Sequence, residues 1–460
     1  MRYFKIFILL MLSIGSIISS CDKGFDELNT NKIEPTSIDP EFIMNAAILA
    51  AEPPSGTSGI LCYHLAIIQQ MVTPFGSSLA GGNYNIFIPG SAATTWNTLY
   101  PGTIKHTIDA IEKAKTDDRR TNVYNQARIW KAFAFMVLTD NYGDIPFFDA
   151  GRGFLDGEFS PKYDTQESIY MDILKELEEA SSALDHTAPT YIIDIMYAGN
   201  IDQWKRLGYS LLLRAAMRLT KVAPDIAETY VKKAVAGGLM QSNSDNAKIQ
   251  HSILYKNTIA NLLAAREKAN YYLAEPFVNF LKDNNDPRLA AISIRAPEAK
   301  NPTYLVAKYQ TTDPSLQVGM PMGYDDVSIA SIFPTYGVTS LYAFSQANLN
   351  TVLQLTSPTY FVTYAQTQLL YAEAVVRGWA EGDAEELFAS GIRAHMNQMS
   401  DFNFTINDSD IQTYLDANPL DVANALEQIN TQYWVASFLN GWEGYANFLR
   451  SGYPSLTKNP

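Results

Sequence analysis

Residues 121–147 read TNVYNQARIWKAFAFMVLTDNYGDIPF, and their reading decides the fold. Val123, Ala127, Trp130, Ala134 and Val137 recur near 3.6-residue spacing, which predicts a helix over 121–140 with one face turned to a core. Gly143 suits a left-handed helix end, and Pro146, without an amide hydrogen, prevents continuation. The stretch therefore reads as a long helix with a built-in stop rather than as a catalytic loop. The same period extends in both directions. It predicts helices at 98–115 (Leu99, Ile104, Ile108, Ile111), 165–185 (Ile169, Ile173, Leu177, Leu184) and 201–222 (Trp204, Leu207, Leu211, Leu219). Further helices are predicted at 225–238, 258–267, 272–282, 359–379, 383–399 and 421–450. Pro224 and Gly237-Gly238 stand where stops belong. Helices recurring in pairs across short polar turns outline an all-α helical-hairpin solenoid.

Composition bounds the rest. A chain of 460 residues exceeds one ordinary core, which fits an extended array that lengthens without thickening. It is 47% hydrophobic and 18% charged, enough to bury a large interior. With 34 Lys plus Arg against 48 Asp plus Glu the net charge is −14, which argues against nucleic acid as a partner, since phosphate binding needs clustered positive charge.

The N-terminus carries Arg2 and Lys5, an apolar run from Ile6 to Ile18 and then Ser19-Ser20-Cys21. A charged start, a short apolar stretch and small residues before the cut read as a signal peptide over 1–20. The run is too short to span a bilayer as a permanent helix. The small-small-Cys ending resembles a bacterial lipobox, so Cys21 is expected to be acylated and to become the first residue. Removing Arg2 and Lys5 takes the net charge from −14 to −16. Residues 21–40 are polar and aperiodic, as expected of a tether. Cys62 is then alone, which excludes a disulfide framework and predicts a small buried apolar residue.

Two segments interrupt the helical rhythm. Residues 73–97 hold Pro74, Gly76, Gly81, Gly82, Pro89 and Gly90, with Tyr84, Phe87 and Trp96 among them. Residues 284–358 are long, irregular and proline-rich, and carry Tyr304, Tyr309, Phe333, Tyr336 and Tyr342. The chain thus divides into scaffold segments 41–283 and 359–454, an insertion at 284–358 and an end segment at 455–460. Long loops inside compact proteins are usually functional.

The usual catalytic signatures are missing. The five histidines are scattered, with no HExxH and no CxxC, so no metal or cofactor is expected. No phosphate loop or GxSxG elbow occurs. Cys62 and His64 point apart on a helix. Glu443, an acid between Trp442 and Tyr445, is the most suggestive carboxylate for a glycosidase pair; the plainer reading is a helix-surface acid pairing with Arg450. Aromatic loops are the better signal, because sugars offer apolar faces that need flat rings flanked by polar groups. The candidate ligand-binding rings are Tyr84, Phe87, Trp96, Tyr304, Tyr309, Phe333, Tyr336 and Tyr342. Against this stands the reading that each ring only fills the interior beneath its loop.

Several stretches resemble, in order, the SusD-like (SusD/RagB) lipoproteins of Bacteroidota. These are Phe25-Asp26-Glu27-Leu28-Asn29 after the lipobox, Asp140-Asn141-Tyr142-Gly143-Asp144-Ile145-Pro146, and Trp204 through Arg214 to Arg218. Gly319-Met320-Pro321-Met322-Gly323, Tyr364 through Glu373, and Trp442-Glu443-Gly444-Tyr445 through Arg450 to Pro454 complete the series. In isolation Trp204-x-x-Leu207-Gly208 only loosely matches a tetratricopeptide (TPR) opening. The resemblance implies a TPR-like helical scaffold and a lipid-anchored place on the outer-membrane surface. It implies as partner a SusC-like TonB-dependent transporter, for which the protein captures a glycan, or sometimes a peptide, without cleaving it. Two other functions compete: a surface glycoside hydrolase with a cryptic carboxylate pair, and a scaffold that binds only protein. Gln366 stands where the family usually has Glu, so a scaffold ion pair is expected to be missing or replaced. The family also usually continues past Gly452-Tyr453-Pro454 with a basic tail, so the end at Pro460 reads as a truncation.

Overall fold

The helix announced by residues 121–140 runs from Thr121 to Tyr142 and is buried along most of its length. The computed structural model describes residues 38–54, 59–157 and 159–459. The signal peptide, Cys21 and the tether up to residue 37 lie outside the described residues. Residues 40–460 form one compact unit.

Helices carry the fold. In order the longer ones are α1 (Pro40–Leu49), α2 (Lys105–Ala114), α3 (Thr121–Tyr142), α4 (Gln166–Ser182), α5 (Ile201–Arg218) and α6 (Pro224–Gly237). Each of these packs on its neighbour in sequence, α1 on α2 through to α5 on α6, which is the stacked-hairpin arrangement of a TPR-like solenoid. Then follow α7 (Thr258–Ala265), α8 (Glu275–Asp283), α9 (Tyr364–Val376), α10 (Ala384–Gln398), α11 (Asp408–Ala417), α12 (Ala425–Ala436) and α13 (Gly441–Ser451). Here α9 packs on α5, α10 and α12, and α13 closes on α3, so the late helices continue the core begun by the early ones. A single apolar cluster reaches from Ile43 to Trp442. At its centre Trp130 stacks on Phe133 at 4.5 Å and donates its indole N–H to the Ala47 carbonyl at 3.2 Å.

Local chemistry explains the boundaries. Thr165 caps α4, Asn200 caps α5 and Asp383 caps α10, each with its side-chain oxygen accepting from a first-turn amide. Thr363 and Gln366 make a reciprocal capping box at α9. Gly143 ends α3 at φ +75°.

Three sequence expectations change. The helix expected at 272–282 begins only at Glu275, because Tyr272–Leu273 pairs antiparallel with Met71–Val72. The one expected at 359–379 opens with a strand, Thr359–Val362, paired with Ala247–Ile249, and is helical only from Tyr364 to Val376. The one expected at 421–450 is two helices, broken where Leu439 adopts φ +68° and Asn440 caps α13. Apolar spacing continues across that break, so periodicity alone conceals it. Two further helices, α1 and α11, lie outside the ranges that periodicity predicts. The remaining strand pairs are equally short: Ile145–Pro146 with Tyr163–Asp164, and Ser293–Ile294 with Gln346–Ala347.

The insertion is irregular but packed. Met320, Met322, Ile329, Val338 and Phe344 build a second small core with Tyr272. Ala296, Ala299 and Leu305 build a third.

Candidate functional site

The motif-bearing acids and bases, scattered from 140 to 450 in sequence, converge inside the scaffold. Glu443 is not a surface acid and does not pair with Arg450. Its Oε1 accepts from Arg218 Nη2 at 2.7 Å and from the Tyr433 hydroxyl at 2.6 Å, and its Oε2 lies 3.0 Å from Arg214 Nη1. Glu443 and Arg450 are seven residues apart, about 10 Å along a helix, too far to meet. Arg450 instead makes a two-pronged pair with Glu373 at 2.6 and 2.8 Å. Burial alone would raise the Glu443 carboxyl; Arg214 and Arg218 outweigh it and hold it below the usual carboxylate range. A general acid needs the opposite bias, so Glu443 is unsuited to donate a proton to a leaving group. Glu373, likewise buried, is brought down to about 2 by Arg450 and Arg377. Gln366 replaces the expected acid without leaving a gap. Its Oε1 accepts from Arg214 Nη2 at 2.9 Å and its amide donates to Ser437 Oγ at 3.0 Å. These motifs therefore hold helices together.

The Cys62–His64 pair does not form. The buried Cys62 thiol donates to the Ser77 carbonyl at 3.3 Å, while His64 Nε2 donates to Asn141 Oδ1. Burial pulls His64 down to about 4, so the ring is neutral near pH 7. Among the described residues, no three His, Cys, Asp or Glu side chains are grouped to hold a metal ion. No described helix is long and apolar enough to cross a membrane.

The two irregular segments meet on one surface. In the first, Gly81 and Gly82 allow the loop to lie directly on the helical turn at 60–67. A Cβ on Gly82 would stand 2.2 Å from Ala66 Cβ, and one on Gly81 2.6 Å from Cys62 Sγ. The Tyr63 phenol then clamps the loop, accepting from Ile88 N at 2.6 Å and donating to Ile86 O at 3.0 Å. Held at both sides, the tip projects Phe87 into solvent, 73% exposed. Tyr84, 46% exposed, donates to the Gly323 carbonyl at 3.2 Å, and Asp326 N donates to Pro74 O at 3.1 Å. These two bonds join the first loop to the insertion. Gly319 anchors the insertion in turn, because a Cβ there would meet Glu275 Cα at 2.5 Å. We expect Gly82→Val to dislodge residues 79–90, seen as new protease cleavage near Phe87 with the helical circular dichroism retained.

The other candidate rings are placed differently. Phe333 and Tyr336 are half-buried against Phe344, with the Tyr336 hydroxyl donating to Glu275 Oε2 at 2.9 Å. Tyr304 and Tyr309 form a tilted pair at 4.9 Å, with Tyr304 and Tyr342 on the third small core and Lys308 5.0 Å from the Tyr309 ring. Trp96 sits among Tyr100, Tyr142 and Tyr163, and its backbone amide donates to the Tyr142 hydroxyl at 3.1 Å. It ties the loop to the turn at Gly143.

Two residues of this surface escaped the sequence reading. Asn83, beside Tyr84, is buried with neither atom of its carboxamide hydrogen-bonded. Tyr163, 67% exposed, stacks on Trp96 from a stretch as rich in glycine and aromatics as 73–97. That composition was the available signal for Tyr163; nothing local marks Asn83. The end segment also reaches this region: Gln69 exchanges two hydrogen bonds with the Thr457 backbone, and Asn459 donates to the Asn83 carbonyl.

The described residues thus form a TPR-like helical scaffold that carries aromatic side chains on irregular segments. Residues 34–460 match the SusD-like family described as starch-binding and associating with the outer membrane, and the chain belongs to that family. Among solved structures it is similar to a chitin-binding protein, with 27% identity, 91% of this chain and 88% of that one covered, and a TM-score of 0.79. It is also similar to a Bacteroidetes SusD-like protein, with 27% identity, coverage of 92% and 90%, and a TM-score of 0.76. A chitin-binding SusD homologue from Flavobacterium johnsoniae shares the fold at 23% identity, with coverage of 91% and 88% and a TM-score of 0.72. No curated protein matches the chain.

Proposed function

We propose that this protein captures a glycan at the outer-membrane surface, without cleaving it, and passes it to a SusC-like TonB-dependent transporter while anchored through acylated Cys21. The observation that carries the reading is the clamped loop tip. Phe87 and Tyr84 are exposed rings on a support fixed by Tyr63 and Gly323. Rings of this kind stack on the apolar face of a sugar. Tyr304 and Tyr309 provide a secondary platform, whereas Trp96, Phe333, Tyr336 and Tyr342 chiefly position the loops. The similarity to a chitin-binding protein makes chitin oligosaccharides the first ligands to try, with starch next.

The test is affinity gel electrophoresis over a polysaccharide panel with a parallel assay of reducing ends. Retardation without new reducing ends is expected. With the ligand found, Tyr84→Ala and Phe87→Ala should each cost about 1–3 kcal/mol, a roughly 5- to 150-fold loss of affinity. Unchanged affinity in both variants would sink the assignment of the loop tip. New reducing ends that vanish in a single acid variant would replace capture by hydrolysis.

A further inference from the structure

Away from both aromatic segments, the scaffold itself contains a pocket of 520 Å³ between the start of α4, the α5–α6 turn and α13. None of its lining residues belongs to 73–97 or 284–358. Its size lies within the range of small-molecule sites. Met171, Ile226 and Leu449 give it aliphatic walls, and Leu449 and Val222 stand exposed.

Arg218 lines this pocket with its side chain only 5% exposed. Its Nε donates to Asp140 at 3.1 Å and its Nη2 to Glu443 at 2.7 Å, but Nη1 is buried without any partner. A buried guanidinium nitrogen lacking an acceptor is costly, so an acceptor delivered from the pocket would be favoured. Lys221 lines the same pocket, and its Nζ reaches only the Ser451 carbonyl, at 3.4 Å. Two cationic groups with donors to spare thus share a cavity with aliphatic walls. Glu167, also in the lining, disfavours ligands of multiple negative charge. The one ring present, Tyr170, is buried with its hydroxyl committed to Asp140, so no exposed platform for a sugar exists here.

We propose that this pocket binds a small monocarboxylate with an apolar body, independently of the glycan surface. The carboxylate accepts from Arg218 and Lys221, and the body lies against Met171, Ile226 and Leu449.

Calorimetric titration of the purified protein with 4-phenylbutyrate tests it, with 4-phenylbutanol and 4-phenylbutylamine as neutral and cationic controls. Saturable binding of the carboxylate is expected, roughly tenfold tighter than the alcohol, as a charge-assisted hydrogen bond requires. Lys221→Met should weaken it by a similar factor, and Leu449→Trp, which fills the mouth from an exposed position, should abolish it. Both variants alter exposed residues and should melt with the parent, which separates loss of the site from loss of the fold. Absence of saturable binding would overturn the proposal. So would equal binding of the alcohol or amine, or unchanged affinity in Leu449→Trp. Glycan retardation is unaffected by any of these outcomes.

Discussion

Glu443→Gln is expected to lower folding stability by about 3–5 kcal/mol, although the new side chain has the same shape. The parent carboxylate answers two buried guanidinium groups at once, Arg214 and Arg218. The amide leaves both positive charges in the interior with only Asp140 to oppose them. Removing one partner from a buried ionic network costs more than the network contributes, because the survivors remain desolvated. Chemical denaturation of parent and variant measures the difference directly. A change below about 1 kcal/mol, the range of exposed pairs, would show that water reaches the cluster.

The second large effect is acid sensitivity between pH 6.5 and 4. Burial lowers His64 from its ordinary 6.5 to about 4 in the folded chain. Between those values the unfolded chain takes up a proton that the folded chain refuses, so stability is complete above pH 6.5 and is lost as pH falls toward 4. A difference of about 2.5 pH units corresponds to roughly 3 kcal/mol. His395, which burial and then the neighbouring Arg288 hold well below its ordinary value, adds loss of the same sign. Replacing His64 by Gln, which can still donate to Asn141, should flatten the stability profile over this window by about one proton. A variant profile parallel to the parent's would mean that His64 titrates normally in the folded state.

Much of the scaffold was legible because its causes are local. Val123, Ala127, Trp130, Ala134 and Val137 lie on one helix face whatever surrounds them, and Gly143 and Pro146 end that helix by their own backbone chemistry. Thr363-x-x-Gln366 is a capping box readable from four residues, yet it sat inside a predicted helix because Thr359–Val362 looks equally apolar in a strand. The break at Leu439 was hidden for the same reason: apolar spacing continues on both sides.

The candidate site divides along the same line. The abundance of rings in 73–97 and 284–358 was plain in the sequence, and so was their setting among glycine and proline. Whether a given ring faces solvent was not. Phe87 and Phe344 both sit in irregular, aromatic-rich stretches, but one is exposed and the other fully buried. That choice depends on Tyr63 clasping the first loop and on Met320 and Ile329 supplying a core beneath the second.

By itself, then, the sequence determined most of the scaffold helices, several of their stops, the family and the segments from which a glycan surface could be built. These follow from periodicity, backbone permissiveness and short motifs, all of which act over a few residues. The tertiary structure alone decided that Glu443 answers Arg218 across 225 residues rather than Arg450 seven residues away. It alone left Asn83 and Arg218 Nη1 buried without partners. Burial and charge pairing are properties of distant chain segments brought into contact, and no local pattern encodes which of them will meet.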